Sequence, residues 1–131
     1  MRHDESELQQ ACYRWFSLQY REYYGLLFAV PNGAKVSQSQ ARILRSEGLT
    51  SGVADMILLV PRHGYHGLMI EFKTANGKQS DTQKRFQDAV EKQGYLYTIV
   101  RSCTAFMDLI NAYIGPVESD ADIMKRLIAV K

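Results

Sequence analysis

The stretch GVADMILLVPRHGYHGLMIEFKTANGKQSDTQ (residues 52–83) decides the fold, because it contains two apolar runs joined by a short loop. MILLV (56–60) and LMIEF (68–72) have the length and composition of buried strands. The loop between them, PRHGYHG, is short and contains two glycines. Strand, short loop and strand together predict a β-hairpin.

Three charged residues interrupt this apolar pattern. Asp55 stands directly before the first run, Glu71 lies inside the second, and Lys73 follows it. Side chains alternate along a strand, so Glu71 and Lys73 are expected on the same side. Folding the hairpin about His63 pairs Val60 with His66 and Leu58 with Leu68. The same register places Asp55 opposite Glu71, where the Cβ atoms of paired residues are about 4.5–5.5 Å apart. The pattern therefore predicts two carboxylates and an ammonium group at the end of the apolar strands.

Two neighbouring carboxylates repel, so one must take up a proton or a cation must lie between them. Carboxylate oxygens are hard ligands and favour Mg²⁺ or Mn²⁺. The adjacent Lys73 suits a negatively charged substrate such as a phosphodiester. The pattern also permits a structural interpretation, in which Asp55 caps a turn and Glu71 forms an edge-strand ion pair with Lys73.

The remaining elements surround this hairpin and predict an α/β fold. Helical periodicity and turn signals predict helices at 5–22, 37–48, 80–94 and 104–114, strands at 25–30 and 95–100, and a C-terminal helix or docking tail at 115–131. Asp4 and Glu7 resemble a capping pair at the first helix, and Ser80 with Gln83 fits an S-x-x-Q capping box. A hairpin combined with a strand–helix–strand crossover predicts one mixed sheet flanked by helices.

Composition is that of one ordinary globular domain, expected to span 1–131 with its core at about 5–107. The chain has 131 residues, a net charge of +2 and 46% hydrophobic residues. It contains no apolar run long enough to span a bilayer, and from its first residues we expect no signal peptide. The two cysteines, Cys12 and Cys103, lack any motif spacing, so we expect buried thiols in a cytoplasmic protein.

Several short motifs, in this order, resemble the VRR-NUC domain of the PD-(D/E)XK nuclease superfamily. They are an early glutamate in ESELQQACYRWF, PNG after the first strand, GLTSGVAD, EFKTANGKQSDTQ, and YTIVRS at the fourth strand. The resemblance covers about residues 5–107 and implies a restriction-endonuclease-like core. Two positions depart from the family pattern: Ala54 replaces the usual proline before the aspartate, and Ser102 replaces the last arginine of Val-Arg-Arg.

The resemblance implies roles for individual residues. Asp55 and Glu71 would bind a metal ion with the backbone carbonyl of Phe72 and with Glu7 from the first helix. Lys73 would orient the attacking water or stabilise the phosphate, and Gln83 would hydrogen-bond at the edge of the site. Helix capping is the alternative role for Glu7 and for Gln83. For Gln83 the two roles are compatible.

Basic residues near this site predict a nucleic-acid surface. Local clusters of positive charge are compatible with a polyanion even though the net charge is small. The candidate contacts are Lys35, Arg42, Lys78, Lys84 and Arg101.

The charge pattern and the resemblance together favour a Mg²⁺- or Mn²⁺-dependent endonuclease acting on DNA. The resemblance implies branched or four-way-junction DNA as the target, and cleaving both sides of a junction would need a homodimer. Two alternatives remain. The first is a non-catalytic nucleic-acid-binding module on the same fold, and the second is an interaction protein without a nucleic-acid partner.

Overall fold

The structure, a computed structural model, describes residues 2–31, 36–115 and 120–129. The elements found there are α1 (Arg2–Gln19), a 3-10 turn (Arg21–Tyr23), β1 (Leu27–Ala29), α2 (Gln38–Ser46), β2 (Met56–Leu58), β3 (Leu68–Phe72), α3 (Asp81–Lys92), β4 (Leu96–Val100), α4 (Cys103–Ile114) and α5 (Asp120–Ala129). The predicted order of helices and strands is confirmed. The predicted capping pair is wrong, because α1 already includes Arg2 and Asp4 therefore lies inside its first turn.

The four strands form one mixed sheet in the order β1-β2-β3-β4. β1, β2 and β3 pair antiparallel, whereas β3 and β4 are parallel and are connected through α3. The predicted register of Leu58 with Leu68 is confirmed. The predicted mixed sheet flanked by helices is therefore the observed fold class.

The register changes by one residue in the hairpin loop. Arg62 bridges Tyr65, and between them His63 and Gly64 both have positive φ, 54° and 85°. Two such residues make a tight hairpin turn, which leaves one extra residue on the β2 side. Extending the register of the strands would pair Val60 with His66, and this pairing is wrong. The Val60 carbonyl instead accepts a hydrogen bond from the Tyr113 hydroxyl at 2.7 Å.

Helices cover both faces of the sheet. On one face α1 and α4 pack against Leu68, Ile70 and Phe72 of β3 in the main core. On the other face α3 packs on a smaller cluster that includes Met69 and Tyr97. β3 is buried along its whole length, which explains why its sequence is a continuous apolar run rather than an alternating one.

The two cysteines meet where α1 packs on the start of α4. Cys12 is fully buried in the main core and Cys103 packs against that core; both are free thiols. Burial, followed by the proximity of Cys103, raises the pKa of the Cys12 thiol to about 12. Among the described residues, no helix has the length and apolarity needed to cross a membrane.

Candidate active site

The hairpin brings Asp55 to the C-terminal end of β3. Asp55 immediately precedes β2, and its backbone carbonyl accepts a hydrogen bond from Val30. Its side-chain Oδ2 accepts a hydrogen bond from the backbone N–H of Phe72 at 2.7 Å. The carboxylate is therefore tied across the hairpin to β3, next to Glu71, rather than to a turn of its own loop.

Glu71 is a buried acid with an incomplete set of partners. Its side chain is on the face of the sheet covered by α3, and the residue is 1% exposed. Oε2 accepts a hydrogen bond from Gln83 Nε2 at 2.6 Å, whereas Oε1 is buried and has no hydrogen-bond partner. A buried polar atom without a partner costs about 1–3 kcal/mol, and more if it is charged. Such an atom indicates a place where a ligand completes the site.

Burial, followed by the nearby Asp55 carboxylate, raises the pKa of Glu71 from 4.5 to about 7, and Lys73 opposes that rise. Glu5 adds a smaller repulsion in the same direction. A buried acid whose pKa is raised by a neighbouring carboxylate is typical of a cation-binding arrangement. The raised pKa and the unpartnered Oε1 of Glu71 therefore lead to the same conclusion, because a bound positive charge would stabilise the carboxylate and give Oε1 a partner.

Lys73 follows β3 and is 9% exposed. Its ammonium Nζ lies 3.6 Å from Glu71 Oε2. The alternative of an ordinary edge-strand ion pair is wrong, because β3 lies between β2 and β4 and both side chains are almost fully buried.

Gln83 combines both roles that its sequence context permits. Its side-chain Oε1 accepts a hydrogen bond from the backbone N–H of Ser80, and its backbone N–H donates to Ser80 Oγ. The capping box at the start of α3 is therefore complete. The other end of the same amide, Nε2, donates to Glu71. The cap thus fixes the orientation of an amide that holds the buried carboxylate.

Helix α1 contributes a different glutamate from the one expected. Glu5, with Ser6 and Gln9, lines a cavity of about 580 Å³ that also includes Asp55 and Glu71. Glu7 is exposed and is not part of this lining. Successive helical residues are about 100° apart, so the two glutamates lie on nearly opposite faces of α1. The sequence contains a signal for this, because Glu5 is three and seven residues before the inward-facing Leu8 and Cys12.

Part of the lining of the cavity is built by a close backbone approach. Gly52 has φ +87°, and a Cβ atom there would lie 2.6 Å from the backbone carbonyl of Thr82. The loop that carries Asp55 can therefore rest directly on the start of α3. No local pattern marks Gly52 as part of the site, because the contact depends on the position of α3.

The donor set fits a hard divalent cation. Asp55 and Glu71 offer carboxylate oxygens, and one of these oxygens is buried without a partner. Among the described residues, no three His, Cys, Asp or Glu side chains are already grouped as a metal-binding set. A Mg²⁺ site does not require three such side chains, because Mg²⁺ commonly keeps several waters and uses one or two protein carboxylates.

The basic residues that were predicted to bind nucleic acid have different surroundings. Arg42, Lys78 and Lys84 are exposed. Arg101 is also exposed, but its Nη1 donates to the carbonyls of Thr74 at 2.7 Å and Gly77 at 2.8 Å. Lys35 lies outside the described residues.

Comparison with known proteins identifies a family. The model of the VRR-NUC domain matches residues 3–104. A solved structure titled "VRR_NUC domain protein" is similar with a TM-score of 0.72 and 24% sequence identity, covering 84% of this chain and 87% of that chain. No curated protein matches. At this identity the structural likeness supports the fold, whereas the family assignment depends on the domain model.

Proposed function

The chain belongs to the VRR-NUC domain family, whose domain is a PD-(D/E)XK-type nuclease, and from this premise we propose that it hydrolyses DNA phosphodiester bonds with a divalent cation. The observation that carries the proposal is the unpartnered Oε1 of Glu71, buried beside Asp55 and Lys73 in an open cavity. A carboxylate pair with an adjacent ammonium is suited to a phosphate diester and a cation together.

In this proposal Asp55 and Glu71 hold Mg²⁺ or Mn²⁺, together with the backbone carbonyl of Phe72. Glu5, which lines the cavity, takes the role that the family resemblance implied for Glu7. When bound, the cation supplies a water of lowered pKa and neutralises charge on the phosphate. Lys73 and Gln83 also serve the reaction.

Lys73 orients the attacking water and balances negative charge on the phosphate, because its ammonium is held beside the carboxylates. Gln83 keeps Glu71 in place through its hydrogen bond to Oε2. Glu71 releases its proton when the cation binds, since its pKa of about 7 leaves it partly protonated near neutral pH.

The DNA lies across the mouth of the cavity in this account. Exposed Lys78 and Lys84 border the start of α3, and Arg42 is on α2. Lys35 remains a candidate by its sequence position alone. Such contacts would hold the phosphate backbone without reading bases, so we propose selection by DNA shape, with branched or four-way-junction DNA as the substrate.

We propose a homodimer for the assembly, because cleaving both sides of a junction needs two active sites. The apolar side chains Met124, Leu127 and Ile128 of α5 are 54–59% exposed and would support such a contact. Light scattering of the wild type and of Leu127→Glu tests this: a dimer that becomes a monomer supports it, whereas a monomeric wild type contradicts it.

The experiment that tests the activity compares cleavage of plasmid, duplex, flap and four-way-junction DNA with Mg²⁺, with Mn²⁺ and with EDTA. Wild type should cleave only with a divalent cation, and Glu71→Gln should lose cleavage while keeping its DNA affinity. Glu22→Gln, at an exposed position, is the matched control. A wild type that binds DNA but cleaves nothing with either cation would identify a non-catalytic binding module instead.

A further inference from the structure

Arg101 follows the last residue of β4 and reaches over to the segment that follows β3. Its Nη1 donates to the carbonyls of Thr74 at 2.7 Å and Gly77 at 2.8 Å, with the Ala75 carbonyl at 3.4 Å. Because β3 and β4 are parallel and Phe72 pairs with Val100, the residues that leave the two strands emerge side by side. The guanidinium therefore holds a turn that is distant in sequence.

This turn is residues Thr74–Gly77, closed by a hydrogen bond from the Gly77 N–H to the Thr74 carbonyl at 3.1 Å. It packs on the side chain of Lys73. A Cβ atom at Gly77 would lie 3.3 Å from Lys73 Cδ and 3.4 Å from its Cβ, which is tighter than ordinary contact. The backbone of the turn therefore runs along the methylene groups of the lysine, while the ammonium remains near Glu71.

We propose that Arg101 is a positioning residue, which fixes the Thr74–Gly77 turn and through it confines the ammonium of Lys73 beside Glu71. The inference rests on the proposed nuclease function, because it assigns Arg101 to the reaction step rather than to DNA binding. Hydrogen bonds from a charged donor are stronger than neutral ones, which suits them to ordering a short turn. A lysine side chain has many rotamers, so an unrestrained Lys73 would populate other positions.

The same arginine was predicted from sequence to contact nucleic acid, and the two roles give opposite results on substitution. A phosphate contact tolerates lysine, which also binds phosphate as a point charge, and its loss weakens DNA binding. The carbonyl contacts all come from one nitrogen, Nη1, which lies one bond further from the backbone than a lysine ammonium, so a lysine at this position would lose them. Arg101→Lys therefore separates the roles while keeping the charge.

The experiment measures cleavage kinetics and salt-dependent DNA affinity for wild type, Arg101→Lys and the surface variant Lys84→Ala. For Arg101→Lys we expect kcat to fall about 10- to 100-fold, as misplaced catalytic groups do, with KM within about twofold. The slope of log affinity against log salt should be unchanged, because the positive charge is kept. A kcat close to that of wild type would overturn the proposal and restore the phosphate contact, which tolerates lysine.

Hydrogen exchange provides a readout that does not require activity. The Gly77 amide, which closes the turn, should exchange faster in Arg101→Lys than in wild type, with the amides of β3 and β4 unchanged. Unchanged exchange at Gly77 would overturn the proposal even if the enzyme were inactive. Failure of the proposed nuclease function would appear differently, as wild-type protein that cleaves no DNA with either cation.

Discussion

Replacing Glu71 with glutamine should stabilise the metal-free protein while removing its nuclease activity. The pKa of Glu71 is raised from 4.5 to about 7, first by burial and then by the Asp55 carboxylate. Such a shift corresponds to about 3 kcal/mol of unfavourable free energy for the ionised side chain in the folded protein. Glutamine has the same shape, and its amide oxygen can accept the hydrogen bond that Gln83 donates to Oε2.

The raised pKa of Glu71 also determines how the stability of the metal-free protein changes with pH. Between about pH 4.5 and 7 the folded chain binds a proton that the unfolded chain has released, so the free energy of unfolding falls as pH rises through this interval. Glu71→Gln removes the titrating group and should flatten this dependence. At pH 8 without metal the variant should be more stable by about 1–3 kcal/mol, with little difference at pH 4.

The assay is urea unfolding of wild type, Glu71→Gln and the exposed control Glu22→Gln at several pH values in EDTA, repeated with Mg²⁺. Added Mg²⁺ should stabilise wild type, by about 2.7 kcal/mol at 100 times its dissociation constant, and should stabilise the variant much less. The reasoning is refuted if Glu71→Gln is less stable than wild type at pH 8 in EDTA, or if its stability keeps the wild-type pH dependence.

Three further predictions concern the surroundings of the site. Gln83→Ala should cost about 1–2 kcal/mol of stability, because it removes half of the capping box. It should also lower kcat, because Glu71 loses its amide partner. Urea unfolding measures the first effect and cleavage rates measure the second. Gly52→Ala should destabilise more than Gly48→Ala by urea unfolding: both glycines have positive φ, but only at Gly52 would the new Cβ meet backbone within 4 Å. Equal costs would contradict the close packing on α3. Lys84→Ala should reduce the salt slope of DNA binding by about 0.9 for duplex DNA, and an unchanged slope would remove this lysine from the DNA surface.

Local sequence patterns were sufficient to predict the sheet and the placement of Asp55 beside Glu71. LMIEF, an apolar run with no polar alternation, is a strand over its predicted range because helices cover both of its faces. The strand register followed from folding the hairpin about His63, and with it the placement of Asp55 beside the end of β3. Ser80 and Gln83 were recognisable as a capping box because that motif needs only neighbouring residues.

What the sequence could not determine depends on packing between distant segments. The motif did not specify which glutamate of α1 lines the cavity, because the presence of Glu5 there, and not of Glu7, depends on the rotation of α1 about its own axis. Arg101 finds its partners 24–27 residues earlier in the chain, and only the parallel pairing of β3 with β4 brings them together. The close approach of Gly52 to Thr82 likewise needs the position of α3.

Calorimetric titration of Mn²⁺ into wild type, Asp55→Asn and Glu71→Gln at pH 7 tests the central claim most directly, because it reports on the carboxylate pair without DNA. Wild type should bind the ion and release protons, since Glu71 is partly protonated in the free protein. Both variants should lose most of this binding, whereas Glu22→Gln should keep it. Equal binding by wild type and the two site variants would contradict the account.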